Sequence, residues 1–276
     1  MTIDSCRVAA VHWDVPPEEI APELSATAPG VVIGAIPARY ASSRLSGKPL
    51  RPVAGRPLIE HVYRRASEAA QLDRVVVLTD DERIVRAVDK FGGSSELTPT
   101  DCASGTDRIA WAAKKWPGDA AVINIQGDEP LIDPESIDRI AIHLREHPGD
   151  PVVTLATQAG AEDEQNPDVV KVVLDRQGYA LYFSRSPIPF PRNPEAATAL
   201  RHVGIYGYQM GALRRLAELE PTPLERGESL EQLRALENGI AIRVMLVDHA
   251  WAGVDTMEDL QRVEALLTSG GSATSD

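Results

Sequence analysis

The stretch Val31-Val32-Ile33-Gly34-Ala35-Ile36, followed at once by Pro37-Ala38-Arg39-Tyr40-Ala41-Ser42-Ser43-Arg44-Leu45-Ser46-Gly47-Lys48, decides how this chain is read. An apolar run with no polar interruption predicts a strand buried on both faces, as at the centre of a parallel sheet. The loop after it then lies beyond the carboxyl end of that strand, where open α/β sheets bind their ligands. It offers Arg39, Arg44 and Lys48, the hydroxyls of Ser42 and Ser43, and Gly47. Arginine forks grip phosphate oxygens in pairs, lysine acts as a point charge, and glycine lets backbone approach closely. A polyphosphate suits that set; a solvated basic loop is the plainer alternative.

Two better-known phosphate loops are excluded. Ser42 stands where a P-loop needs its first glycine, and Pro49 replaces the hydroxyl that would hold magnesium. No G-x-G-x-x-G opens a helix here, which disfavours a dinucleotide-dependent dehydrogenase.

Working outward, helix and strand patterns alternate. Helix 58–71 has Ile59, Val62, Ala66 and Ala69 at helical spacing; strand 74–79 and helix 82–91 follow, the latter stopped by Gly92-Gly93. Helix 107–116, strand 120–125 and helix 134–147, with Asp133 as N-cap, continue the series. Such alternation predicts an α/β, Rossmann-like, doubly wound and mostly parallel sheet. The second half reads differently: a hairpin of strands 169–174 and 179–184, a proline-rich loop 187–194 and a strand 203–209 predict an antiparallel insert at about 160–240. Helices 212–219 and 229–237, strand 242–247 and helix 256–267 close the domain, which spans 31–267. Residues 1–30, rich in proline, and the Ser/Gly-rich tail 268–276 are expected to be poorly ordered.

Composition narrows the partners. A net charge of −13 argues against a nucleic acid polymer or an anionic membrane surface, though local cations still allow an anionic small molecule. No run reaches membrane-spanning length, and the acidic N-terminus is unlike a signal peptide. The cysteines, Cys6 and Cys102, show no ligand spacing and fit a reducing compartment. A cytoplasmic enzyme is the expectation. Arginine (23) outnumbers lysine (5), as in a high-GC genome.

Strand 120–125 runs into Gln126-Gly127-Asp128-Glu129-Pro130, which puts carboxylates on the ligand-bearing edge. Magnesium takes hard oxygen ligands and often only one or two protein carboxylates. Asp128 is the first candidate, since Glu129 precedes a proline and suits the turn. Asp255, in Gly253-Val254-Asp255-Thr256, is the second, with capping of the last helix as its alternative role. His143 and His147 stand one helical turn apart with no third ligand nearby and read as a solvated helix end.

These motifs resemble, in order and over about residues 31–267, the 3-deoxy-manno-octulosonate (Kdo) cytidylyltransferase family. The resemblance rests on the loop from Pro37 to Leu50, Ser104-Gly105-Thr106-Asp107-Arg108, Gln126-Gly127-Asp128-Glu129-Pro130 and Tyr182-Phe183-Ser184-Arg185. It continues through Arg201-His202-Val203-Gly204-Ile205-Tyr206-Gly207-Tyr208, Leu230-Glu231-Gln232-Leu233-Arg234 and Gly253-Val254-Asp255-Thr256. It implies magnesium-dependent transfer of a cytidylyl group from CTP to a 3-deoxy-2-keto sugar acid, with release of pyrophosphate. It implies that Arg39, Ser42, Arg44 and Lys48 hold the triphosphate and that Ser104, Thr106, Arg108 and Gln126 lie near nucleoside or phosphates. Asp128 and Asp255 would bind Mg²⁺, Arg39 and Lys48 would join them as the catalytic set, and Arg185, His202, Tyr206, Glu231 and Gln232 would line the acid pocket. A homodimer through the hairpin region is implied as well. Packing alone is the plainer role for His202, Tyr206 and Tyr208. Ser46 stands where the family usually has proline, and Cys102-Ala103 where it commonly has His-Gln, so the contacts there are open. Another keto-sugar acid or a phosphonate as acceptor, or a nucleotide sensor without catalysis, are the rival functions.

Overall fold

A computed structural model describes residues 28–41, 45–193 and 199–269. The first strand, β1 (Val32–Ala38), is the axis of the molecule. Its side chains alternate, as a pleated strand requires. Val32 and Ile36 enter one core layer while Ile33 and Ala35 enter the layer on the opposite face. That two-sided burial is what the unbroken apolar run predicted.

After β1 come a short 3₁₀ turn (Lys48–Leu50), a two-stranded ribbon of β2 (Pro52–Val53) and β3 (Arg56–Pro57), and helix α1 (Leu58–Ser67). Then β4 (Arg74–Thr79), α2 (Glu82–Lys90), β5 (Ser95–Leu97), α3 (Gly105–Ala113), β6 (Ala121–Asn124) and α4 (Pro134–Glu146) follow. The expected Asp133 cap is present, accepting from the backbone N–H groups of Glu135 and Ser136, with Pro134 at the first helical position. Strand β7 (Val152–Gln158), α5 (Ala161–Gln165), β8 (Lys171–Leu174), β9 (Ala180–Ser184) and β10 (Leu200–Gln209) come next. Helices α6 (Met210–Glu218), α7 (Pro223–Glu228) and α8 (Gln232–Glu237), strand β11 (Ile242–Leu246) and α9 (Met257–Ser269) complete the order.

The main sheet runs β11-β7-β10-β6-β1-β4-β5. β1 pairs in parallel with both β4 and β6, β4 with β5, and β7 with β11, whereas β10 is antiparallel to β6 and β7. The chain winds outward from β1 through β4 to β5, then returns to the other side of β1 at β6. The crevice between β1 and β6 is therefore the topological switch point, and the site assembles at its carboxyl edge.

The structure departs from the sequence reading in four places. β7 was not anticipated; its polar Thr154 and Thr157 are nevertheless buried, because the strand lies between β10 and β11. β10 starts at Leu200 and sits inside the main sheet; only β8 and β9 extend away from it. The helix expected over 229–237 starts later: α7 ends at Glu228, its C-cap Ser229 has a left-handed φ of 54°, and α8 begins at Gln232. His143 is also not solvated. It is buried with its Nε2 2.6 Å from Asp150, which also accepts from the Tyr179 hydroxyl at 2.6 Å. Residues 1–27 and 270–276, on which most of the order expectations fell, lie outside the described residues.

Candidate active site

Beyond β1 the loop turns back on itself. The Gly47 N–H donates to the Tyr40 carbonyl at 3.0 Å, and Gly47 takes φ 67°, a conformation that glycine alone adopts without strain. This closes the turn without the proline that Ser46 replaces. It also aims Lys48 at the sheet. Across the crevice, a Cβ on Gly127 would stand 2.8 Å from the Pro37 carbonyl oxygen. The backbones leaving β1 and β6 thus touch, which puts Asp128 beside the loop.

Lys48 joins the two aspartates that the sequence singled out. Its ammonium lies 2.6 Å from Asp128 Oδ2, 3.1 Å from Asp255 Oδ1 and 2.7 Å from the Val254 carbonyl. Burial opposes its charge, but Asp128 and then Asp255 outweigh that and raise its pKa. Capping does not occupy the Asp255 carboxylate: Thr256 and Asp259 form the reciprocal cap of α9, and the Asp255 backbone N–H donates to Asp259. A cavity of about 380 Å³ opens here, lined by Arg39, Lys48, Gln126, Gly127, Asp128 and Asp255 among others.

Arg39 donates to the Cys102 carbonyl, so the departure from His-Gln at 102–103 leaves a backbone contact in its place. The N-terminus of α3 abuts the same cavity, a Cβ on Gly105 falling 3.2 Å from the Pro37 ring. Its positive dipole end and the adjoining cations favour an anion. Ser104 caps that helix, accepting from the Asp107 N–H at 3.1 Å. Thr106 and Asn124 stand close to the Tyr208 hydroxyl and lower its pKa against the effect of burial. Gln126 faces the cavity. Arg108 does not: it is fully buried, bound to Asp80 at 2.9 Å and to the Thr98 hydroxyl, because an enclosed guanidinium needs partners within the wall. Ser42 and Arg44 lie outside the described residues.

The expected acid side gathers on β10. The His202 ring meets Phe183 edge-on at 5.0 Å and Tyr206 at 5.4 Å, and Tyr206 stacks on Tyr208 at 6.0 Å. A bulge between Val203 and Tyr206 shifts the register against β7, a device that re-aims side chains near sites. His202 keeps partial access to solvent, yet the surrounding protein desolvates it and lowers its pKa to about 3. It is therefore neutral. Its Nε2 is 2.9 Å from Thr154 Oγ1, which lies 2.7 Å from the Ile205 carbonyl. That carbonyl can only accept, so the hydroxyl donates to it and accepts from Nε2–H, leaving Nδ1 as an acceptor. Glu231 lies close enough to raise the Tyr206 pKa after burial has done so, and Gln232 follows it at the start of α8. Arg185 stands just past β9, half-buried.

A family model described as cytidylyltransferase matches residues 33–242. The 3-deoxy-manno-octulosonate cytidylyltransferase of Syntrophotalea carbinolica is 49% identical over 246 residues, covering 86% of this chain and 98% of its own. That of Escherichia coli is 47% identical over 232 residues, covering 84% and 94%. The chain belongs to the 3-deoxy-manno-octulosonate cytidylyltransferase family. A solved structure of CMP:2-keto-3-deoxy-manno-octonic acid synthetase complexed with CTP matches it with a TM-score of 0.84 at 44% identity, over 87% of this chain and 100% of that one.

Two residues of this family member escaped the sequence reading. Glu129, assigned to the turn, accepts from the Trp251 indole at 2.7 Å. Its burial, with Asp128 and Asp255 adding to it against the indole and Arg201, pushes its pKa up to about 8. Thr154 sits in the unanticipated β7; only the pairing of β7 with β10 reveals it as the partner of His202.

Proposed function

We propose that this protein transfers the cytidylyl group of CTP to Kdo, forming CMP-Kdo and pyrophosphate. The convergence of Lys48, Asp128 and Asp255 at the switch point carries this reading, within a fold that matches a CTP-complexed relative. The anomeric oxygen of the acid attacks the α-phosphorus in line and gives up its proton to solvent; the bond to the bridging oxygen breaks, and pyrophosphate leaves with those electrons.

Two carboxylates and a carbonyl already converge on one cationic group, the Lys48 ammonium, and such a donor set suits magnesium. Among the described residues no cluster of three or more His, Cys, Asp or Glu offers a protein-only metal cage, in keeping with a cation that substrate oxygens help to hold. Asp128 and Asp255 would hold it. Bound there, magnesium supplies neutralisation of the triphosphate and a lowered pKa for a coordinated hydroxyl. Lys48 and Arg39 place positive charge on the leaving phosphates, where charge grows in the transition state. Ser104, Thr106 and Gln126 line the nucleoside side, with Arg108 acting through the wall behind them. Arg185, His202, Tyr206, Glu231 and Gln232 orient the acid, so that reaction becomes effectively intramolecular.

Leu181 and Phe190, 62% and 83% exposed, lie on and beyond the hairpin and support a homodimer through that region. Among the described residues no helix is long and apolar enough to cross a membrane. The deciding experiment is pyrophosphate release from CTP or UTP against Kdo, other keto-sugar acids and phosphonates. Release with CTP and Kdo is expected. Tight CTP binding with no release for any acceptor would make the protein a sensor, and release only with phosphonates would replace the acceptor.

A further inference from the structure

Lys171 is fully buried on β8, although lysine is among the residues least often enclosed. Among the described residues no carboxylate touches its ammonium. Three backbone carbonyls do, those of Asn166 at 2.8 Å, Val169 at 2.6 Å and Arg185 at 2.6 Å. A methionine would fill the same volume without the desolvation of a charge, so packing does not account for this residue. Its acceptors do. Asn166 and Val169 bracket the turn before β8, and the Arg185 guanidinium grips that same turn through Pro167, its Nη1 donating to the carbonyl at 3.0 Å. Lys171 thus fixes both the backbone of Arg185 and the ledge that its side chain rests on.

Glu228, at the end of α7, completes the clamp from the other side. Its carboxylate accepts from the Ser184 hydroxyl at 2.6 Å and from the Arg185 N–H at 3.0 Å, and its carbonyl accepts from Arg185 Nε at 3.0 Å. Arg185 Nε and Nη1 are therefore committed to protein carbonyls. Among the described residues nothing occupies Nη2, which remains as the donor edge for a ligand.

We propose that Lys171 and Glu228 are positioning residues that lock Arg185 in one orientation, so that its free guanidinium edge meets the carboxylate of the sugar acid. This rests on the acid-binding role of Arg185 given above. The clamp restrains a group that binds substrate and touches no reacting atom. Its loss weakens binding of the acid, as the loss of an outer-shell partner weakens a ligand that it orients.

The test is steady-state kinetics of wild type, Lys171→Met, Glu228→Gln, Arg185→Ala and the double variant Lys171→Met/Arg185→Ala, each with its melting temperature. Lys171→Met is expected to raise KM for the acid roughly 10–100-fold, with KM for CTP changed less than about 3-fold and kcat largely kept. Adding Lys171→Met to Arg185→Ala is expected to change KM for the acid little further, since both act through one guanidinium. If Lys171→Met does not fold, Glu228→Gln carries the same prediction from the opposite side of Arg185. Equal losses toward CTP and acid, or full additivity in the double variant, would overturn the clamp and leave a structural staple. A wild-type protein that releases no pyrophosphate from CTP and Kdo would instead overturn the acceptor reading, and the clamp with it.

Discussion

Replacing Thr154 by valine tests the link between the bulge in β10 and the state of His202. Valine keeps the shape of threonine, so no cavity opens; what disappears is one hydroxyl. That hydroxyl serves His202 Nε2 at 2.9 Å and the Ile205 carbonyl at 2.7 Å, with the Val203 carbonyl a weaker neighbour at 3.3 Å. Thr154 and Ile205 have no solvent exposure, so water cannot replace the lost partner at the carbonyl. An unsatisfied buried group costs about 1–3 kcal/mol, and the Ile205 carbonyl is one; the better strand preference of valine offsets up to about 1 kcal/mol of that. Urea denaturation should therefore show a fall in stability of roughly 1–2 kcal/mol. The functional effect should be selective. With Nε2 no longer tied, His202 loses its fixed tautomer and KM for the acid rises while KM for CTP stays close to wild type. A variant as stable as wild type, with an unchanged KM for the acid, would refute both the tautomer assignment and the place of His202 in the acid pocket.

Asp128→Asn should lower turnover by at least about 100-fold, since a second-carboxylate deletion at a charged phosphoryl site removes transition-state stabilisation of that order, while the melting curve stays near wild type; unchanged rates and magnesium dependence would remove Asp128 from the metal site. Gly127→Ala puts a methyl 2.8 Å from the Pro37 carbonyl, a contact that backbone must relieve, and should cost about 1–3 kcal/mol as an overpacked site does; a stable variant with wild-type KM for CTP would show that the two loops can part. The acid limb of stability should carry the signature of His202, whose folded pKa of about 3 lies below its ordinary 6.5. The unfolded chain binds the extra proton between those values, so stability is at its full level above pH 6.5 and declines as pH falls toward 3, by up to about 1.4 kcal/mol per unit through this group. Denaturation midpoints of His202→Gln should fall less steeply over that window than those of wild type; parallel slopes would contradict the depressed pKa.

The switch-point half of the site was legible because its signals are local in sequence. An unbroken apolar run fixed β1, the cations followed within one loop, and a strand ending in Gly-Asp-Glu placed Asp128 on the same edge. Asp255 was legible as a candidate, but the choice between capping and the cavity needed to be seen, since Asp259 and not Glu258 completes the cap. The acid half was read only through family resemblance. Its supports come from pairs distant in sequence: Thr154 with His202, Lys171 with Arg185, Trp251 with Glu129. Arg108 shows the converse. The resemblance puts it near nucleoside or phosphates, and the structure places it three positions past the Gly105 N-terminus of α3, inside the wall, paired with Asp80.

The two halves meet because β10 runs against β6. Tyr206 pairs with Asn124 in that ladder, and Asn124 lies two residues before Gln126 and four before Asp128. A β10 placed in a separate antiparallel unit would need a hinge to bring acid and nucleotide together; one embedded in the main sheet needs none. Asn124 and Thr106 both stand close to the Tyr208 hydroxyl, so the helix beside the nucleotide cavity, the strand that leads into Asp128 and the strand that carries His202 meet at one buried joint. In the reaction proposed above, such a joint keeps the nucleotide and acid sides in fixed relation before either substrate arrives, which is where orientation contributes to rate. The bulge then supplies the one local freedom the ladder lacks. By slipping register between Val203 and Tyr206, it puts His202 and Tyr206 in ring contact at 5.4 Å although four positions separate them on one strand. A regular strand would space them about 13 Å apart.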